Sequence, residues 1–211
     1  WDNVCELRKT PFDDENDDHV ALLKRLWTVA FGKDTPFERV HEHWTDLGFQ
    51  QADPTTDLRG GGILSLEHFV LFAERHTASF QAMIMFNKMR HREGSHSWFL
   101  PAVVSIQFSA QLLLNEYHSY GEHIAFVLNE DEEPEADDVE IVREGVMNLQ
   151  HRLLLHFFAV WKDRNPHVME FTQFVGPNVI QTFFTQKWKR PVAAVAPKVE
   201  RMGQEGRKKK Q

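Results

Sequence analysis

The stretch Trp98–His118 reads WFLPAVVSIQFSAQLLLNEYH, and the fold class turns on it. Val104, Ile106, Phe108, Ala110 and Leu112 alternate with Ser105, Gln107, Ser109 and Gln111. Strict alternation is the pattern of a half-buried strand, and Val and Ile favour strands. Three features count against a strand. Pro101 suits a helix start, Leu112-Leu113-Leu114 breaks the alternation, and no second strong strand lies nearby to pair with it. The stretch is therefore predicted to be a buried helix, and the chain all-α.

The flanking sequence agrees with that choice. Downstream, an acidic run from Asn129 to Asp138 reads as a loop, and Asp137 with Glu140 forms a capping pair. Val142, Val146, Leu149, Leu153, Phe157 and Val160 then trace the stripe of the longest helix, which ends near Asp163. Asn165-Pro166 opens a last helical region with Met169, Phe174, Ile180 and Phe183 as core candidates, which Gly176-Pro177 should kink or divide. After Pro191 the chain reads as a flexible tail. Upstream, His91–Ser97 reads as a polar loop, and Thr77 starts a helix that buries Phe80, Met83, Ile84 and Asn87. Ser65 is expected to cap a helix with Leu66, Phe69, Val70 and Ala73 inward. Thr35-Pro36-Phe37-Glu38 is a capping-box signature, predicting a helix with Phe37, Val40, Trp44 and Leu47 on one face and Gly48 at its end. Acidic N-cap material at Asp14–Asp18 precedes Val20, Leu23, Trp27 and Ala30 at helical spacing, with Gly32 just past the end. Residues 1–13 show no clear period. The expected architecture is one compact domain of seven or eight helices over 14–189, followed by a basic tail over 190–211.

Composition bounds the function. A chain of 211 residues that is 42% hydrophobic, with seventeen Phe and six Trp, can bury a full aromatic core. Cys5 is the single cysteine, so no internal disulfide forms and a reducing intracellular setting is expected. No apolar run reaches the length of a membrane span. The net charge of −7 argues against nucleic acid as the main partner. The acidic runs and the basic end Arg207–Lys210 read as solvated segments. The sharper reading of that end is weak attraction to an anionic membrane surface, at most a peripheral association.

Motif chemistry is mostly excluded. There is no Walker-type loop, and Gly60-Gly61-Gly62 reads as a turn permitting positive φ. The twelve histidines include no HExxH, and His41/His43 and His151/His156 have poor spacing for one helix face, so no metal site is expected. Cys5 has no reactive context, and Ser65 and Ser105 have no nucleophile elbow.

One segment remains, Trp44–Leu66, WTDLGFQQADPTTDLRGGGILSL. It sets Arg59 among residues that shape backbone. Pro54 restricts the approach, Asp57 can cap its own turn, Leu58 can pin the turn to the core, and Gly60–Gly62 let the chain pass close to a partner. Gln50, Asp53 and Thr56 complete the set of loop-shaping or partner-binding residues. Local sequence alone favours an ordinary structural arginine, paired with Asp57 or Asp53 and holding the loop shut.

The residues from Leu22 to Phe72 also carry a family pattern. It runs Leu22-Leu23-Lys24-Arg25-Leu26-Trp27, Trp44-x-x-Leu47-Gly48-Phe49-Gln50, Asp53-Pro54-x-Thr56-Asp57-Leu58-Arg59-Gly60, Leu64-x-Leu66 and Phe69-x-x-Phe72. This resembles the ELMO (engulfment and cell motility) domain, and most of all the stand-alone ELMO-domain-containing proteins. Trp161 followed by Met169-Glu170-Phe171 is similar to the family's late segment. The resemblance implies a GTPase-activating protein for Arf and Arf-like small GTPases, cytoplasmic or peripheral on organelle membranes. It implies that Arg59 is an arginine finger and that GTP and Mg²⁺ belong to the partner, leaving this chain no cofactor. The alternative it implies is a non-catalytic adaptor for a Dock-type Rac exchange factor; the larger ELMO scaffolds lack an arginine at this place. Three departures stand out: Leu58 where the family has Phe, Gly176-Pro177 inside a late helix, and the acidic Asn129–Asp138 run.

Overall fold

The computed structural model describes residues 2–114 and 138–186, and among these residues it is all-helical, without strands. The expectations placed on Asn129–Asp137 and on the C-terminal tail lie outside the described residues.

Helix α1, Asp2–Leu7, was not legible in the sequence, yet its Val4 is fully buried in the core. Helix α2, Asp17–Phe31, begins at Asn16, whose Oδ1 accepts from the N–H groups of Asp18 and His19. It ends at Gly32, where φ is 89°, as the expected residue past the last turn. Leu23, Leu26 and Trp27 form its buried face.

The predicted helix from Thr35 to Leu47 does not form. Only His43–Asp46 is helical (α3), and Val40 is exposed. The capping signature loses to tertiary contacts. Thr35 Oγ1 donates to the Phe31 carbonyl on α2 instead of capping a new helix. The Trp27 indole N–H donates to the Thr35 carbonyl, and the Trp44 indole N–H to the Glu38 carbonyl. Two buried tryptophans thus satisfy two backbone carbonyls of an irregular segment of turns and bends, and helix formation gains nothing there.

A 3₁₀ turn, Pro54–Gly60, leads into α4, Gly62–Arg75. Ser65 does not cap α4. It lies inside the helix, fully buried, and its hydroxyl donates to the Gly62 carbonyl. The first turn is met instead by the N-terminal segment: the Ile63 N–H donates to the Thr10 carbonyl at 2.9 Å. Gly62 has φ of 56°, and a Cβ there would sit 2.2 Å from the Arg8 carbonyl oxygen. Gly62→Ala is therefore expected to cost about 2–5 kcal/mol from backbone strain and overpacking together. A urea titration should show the midpoint fall with an unchanged m-value.

Helix α4 is the centre of the fold and packs against α2 and against three later helices, α5 (Thr77–Arg92), α6 (Pro101–Leu114) and α7 (Asp138–Arg164). It buries Leu64, Leu66, Phe69, Val70, Phe72 and Ala73, and also His68. Helix α5, Thr77–Arg92, buries Phe80, Met83, Ile84 and Asn87 as expected, and runs two residues into the stretch read as a polar loop. Asn87 is buried because it staples the next connection: its Oδ1 accepts from the Phe99 N–H and its Nδ2 donates to the Met83 carbonyl.

The deciding stretch is a helix, α6, Pro101–Leu114. Its alternation has a structural origin. Ser105 and Ser109 are buried along with the apolar residues, while Gln107 and Gln111 form the exposed stripe. Its first turn is docked, with the Ala102 and Val103 N–H groups donating to the carbonyls of Leu47 and Gly48. Helix α7, Asp138–Arg164, is 27 residues long and buries Val146, Leu149, Leu153, Phe157 and Trp161 against α6 and α4. Beyond it come a 3₁₀ turn Val168–Glu170, α8 Phe171–Val175, a π turn Gly176–Ile180 and α9 Gln181–Gln186. Gly176-Pro177 divides this region as the sequence suggested. Met169 is not core; it is 83% exposed, because the 3₁₀ turn directs it outward while Phe171 packs on Trp161.

Candidate functional site: the Arg59 turn

Asp53 starts the site. Its backbone is extended, and Oδ1 accepts from both the N–H and the hydroxyl of Thr55, at 3.0 and 2.7 Å. Thr56 Oγ1 donates to the Asp53 carbonyl at 2.9 Å. Pro54 follows at the first helical position, where its missing N–H costs nothing. The segment read as a loop is thereby a capped, seven-residue 3₁₀ turn.

The turn rests on α4 and α6. Pro54 and Leu58 face inward, and Leu58 is only 4% exposed within the main core. The apolar anchor expected of the position is present with Leu in place of Phe. Arg59 and Gly60, next in the chain, are exposed. Gly60 has room for a side chain, since a Cβ there would meet Ala110 Cβ at an ordinary 3.8 Å. Leu58→Ala should destabilise the protein by about 2–3 kcal/mol, the lower part of the range for a buried leucine because the site is near the surface. Chemical denaturation measures this directly.

Asp57 ties the preceding strand of chain to the turn. Its Oδ2 accepts from the Gln50 N–H at 2.7 Å. Burial pushes the Asp57 carboxyl up, while the Gln50 N–H and the positive charge of Arg59 oppose that rise. Gln50 itself is exposed, next to the buried Phe49.

Arg59 makes no hydrogen bond and no ion pair among the described residues; its closest electrostatic relation is with Asp57. The carboxylate of Asp53 is occupied by another arginine. Arg39 Nη1 donates to Asp53 Oδ1 at 2.7 Å, Nη2 to Thr55 Oγ1 at 3.0 Å, and Nε to Asp14 Oδ1 at 2.7 Å. Its guanidinium also lies over the Phe12 ring. Burial works against ionising Asp53, but the Arg39 guanidinium and the Thr55 donors outweigh it and hold the carboxyl below its usual range. Arg39 thus holds the loop closed, leaving Arg59 to solvent. Sequence reasoning missed Arg39 because it lay in the misassigned helix, and its partners are distant in the chain.

A groove of about 350 Å³ between α7 and the π turn, lined by His156, Asp163, Asn178 and Thr182, contains none of these residues. Among the described residues no three His, Cys, Asp or Glu side chains come together to hold a metal, and no helix is long and apolar enough to cross a membrane.

A model of the ELMO/CED-12 family matches residues 2–175, most of the chain and all of this site. The chain belongs to the ELMO/CED-12 family. It is 28% identical over 177 residues to ankyrin repeat and ELMO domain-containing protein D of Dictyostelium discoideum, covering 80% of this chain and 13% of that protein. It is 32% identical over 121 residues to ELMO domain-containing protein 2 of Bos taurus, covering 56% of this chain and 41% of the relative. It is 43% identical over 74 residues to ELMO domain-containing protein 1 of Mus musculus, covering 35% and 22% respectively. The matches span less than half the length of each of these relatives. No solved structure matches the chain. In this ELMO/CED-12 chain, the exposed arginine sits on a turn whose other side is built into the core.

Proposed function

We propose that this ELMO/CED-12 chain is a GTPase-activating protein for small GTPases of the Arf and Arf-like class, and that Arg59 is its arginine finger. The observation that carries the reading is an exposed arginine without an ion pair on a turn anchored by buried Pro54 and Leu58. Hydrolysis of GTP builds charge on phosphate oxygens in the transition state. A guanidinium delivered in trans meets that charge with paired hydrogen bonds and stays protonated throughout.

The other site residues act on position. Asp53, Thr55 and Arg39 fix the start of the turn, Leu58 fixes its depth, and Asp57 fixes the neighbouring strand of chain. An arginine held in this way loses little freedom on docking, which lowers the entropic cost of the encounter. GTP and Mg²⁺ would remain with the partner, and the chain would act in the cytoplasm or at the surface of an organelle membrane.

The test is a panel of Arf-family GTPases loaded with GTP and assayed in single turnover with and without the full chain. Stimulation of at least one member is expected. Stable binding to a large exchange factor, with no GTPase stimulated, would replace this reading with an adaptor role.

A further inference from the structure

Large hydrophobic side chains are exposed at few places among the described residues, and two of them stand one turn apart on α5: Met85 at 60% and Met89 at 51%. Ala78 and Ala82 are exposed on the same helix. Steps of four, three and four residues join Ala78, Ala82, Met85 and Met89, so the four share one narrow stripe over three turns. The opposite side of α5 holds the buried Phe80, Met83, Ile84 and Asn87. Single apolar residues on a surface need no explanation. A stripe at heptad spacing is different, because it is the seam along which one helix meets another. The two alanines let a partner backbone come close, and methionine adapts its shape to whatever packs on it.

Charge selects the occupant. In a chain with 31 acidic and 24 basic residues, α5 carries Lys88, Arg90 and Arg92 and no Asp or Glu. Two of these cations are engaged: Lys88 Nζ lies 3.2 Å from Asp46 Oδ2, and Arg90 donates to Asn165 Oδ1 at 2.9 Å and covers the Phe86 ring. Arg92 is exposed, continues the stripe three residues after Met89, and makes no ion pair among the described residues. A lipid surface is poorly matched to this face. One myristoyl chain alone gives only marginal membrane binding, and two methionine side chains offer less apolar surface than that. A second copy is also poorly matched, because another α5 brings no carboxylate for Arg92. Four seam residues are moreover far fewer than the roughly 20–30 per side of a stable dimer. A single amphipathic helix with acidic flanks meets both the seam and the charge.

We propose that the outer face of α5 is a docking seam for an acidic amphipathic helix of another protein, which packs apolar residues at heptad spacing on Ala78, Ala82, Met85 and Met89 and sets a carboxylate against Arg92. The inference does not depend on the activator reading above. Burial of the two methionines supplies most of the attraction, and the carboxylate pair sets orientation and partner choice.

The experiment is fluorescence anisotropy with a labelled three-heptad synthetic peptide, leucine at its a and d positions and glutamate at e and g, titrated with the full chain. The glutamates repel one another and keep the peptide from pairing with itself. Wild type should bind it, and should bind a peptide with lysine at e and g at least about tenfold more weakly. The double variant Met85→Gln, Met89→Gln should raise the Kd for the acidic peptide about tenfold or more. Arg92→Gln should raise it about threefold, and Met169→Gln, which removes an exposed methionine off α5, should match wild type. Sedimentation of wild type with phosphatidylserine vesicles, and of wild type alone over a concentration series, completes the test. No binding of the acidic peptide, or equal binding of both peptides, overturns the inference. Vesicle binding lost in the double methionine variant overturns it in favour of a membrane face. A dimer lost in that variant overturns it in favour of a second copy.

Discussion

Arg59→Lys is expected to lose the stimulation of GTP hydrolysis by roughly 10³-fold or more, while the protein stays as stable as wild type. Arginine fingers supplied in trans contribute roughly 10³–10⁵ in rate, and a thousandfold loss is about 4 kcal/mol of transition-state stabilisation. Lysine keeps the charge but loses the planar fork that can bond two phosphate oxygens at once. Stability should be spared because Arg59 is exposed and makes no hydrogen bond or ion pair among the described residues. The Arg39 clamp and the Leu58 anchor that shape the turn are untouched by the change. Stopped or quenched single-turnover assays give the rate, and a urea melt gives the stability. Equal stimulation by wild type and Arg59→Lys would sink the finger role.

Acid should unfold this protein well before its carboxylates are neutralised, because two histidines are buried uncharged at its centre. His68 on α4 has Nδ1 3.1 Å from Ser109 Oγ, and the Ser109 hydroxyl donates onward to the Ser105 carbonyl. Ser109 therefore accepts from His68, which places the proton on Nδ1 and leaves a bare, buried Nε2. His151 on α7 donates from Nε2 to the His68 carbonyl at 2.9 Å, and its Nδ1 is likewise buried and unpaired. Protonating either ring would create a buried cationic N–H with no acceptor. Burial, His151 and then Arg143 push His68 down to about 3. Burial pushes His151 down to about 4, with His76 and Arg75 adding to the fall and the His68 carbonyl and Glu144 resisting it. His76, lowered by burial and by Arg75, works in the same direction.

The sign follows from proton linkage. Below the unfolded value of 6.5 the unfolded chain binds these protons and the folded chain does not, so stability is complete above pH 6.5 and declines toward pH 4 and 3. Each group removes about 1.4 kcal/mol per pH unit in that window. At pH 4 the pair together costs on the order of 6 kcal/mol, comparable with the whole stability of a domain. Asp57, raised by burial, opposes this only weakly and in the carboxylate range. Urea midpoints between pH 7 and 4 should fall steeply for wild type. In His151→Gln, which can still donate to the His68 carbonyl, the slope should drop by about 1.4 kcal/mol per pH unit. A midpoint indifferent to pH across this window would show that the histidines are not buried as described.

The same polar core explains why α6 was the hard segment to read. Ser105 and Ser109 looked like the polar side of a strand. They are buried because Gln150 Nε2 donates to the Ser105 carbonyl and hydroxyl, and Ser109 meets His68. Partners 41 and 45 residues away in sequence cannot be seen in a local pattern. The capping signature at Thr35 failed for a related reason. Trp27 and Trp44 captured the carbonyls of Thr35 and Glu38, and an irregular path satisfied the backbone better than a helix.

What the sequence determined by itself was the helical class, the stripes of α2, α4, α5 and α7, the break at Gly176-Pro177, and the segment that carries Arg59. These are local matters: periodicity, punctuation and turn chemistry act within a few residues. The tertiary structure alone decided that residues 33–42 wrap rather than coil, that Ser65 lies within α4 and that α1 enters the core. It alone decided that Arg59 makes no ion pair among the described residues. The sequence offered Arg59 as the partner of Asp53, and Arg39 took that place because the wrapped segment carries its guanidinium to Asp53, Thr55 and Asp14 together. A charge is paired by proximity in three dimensions, and that proximity came from the fold.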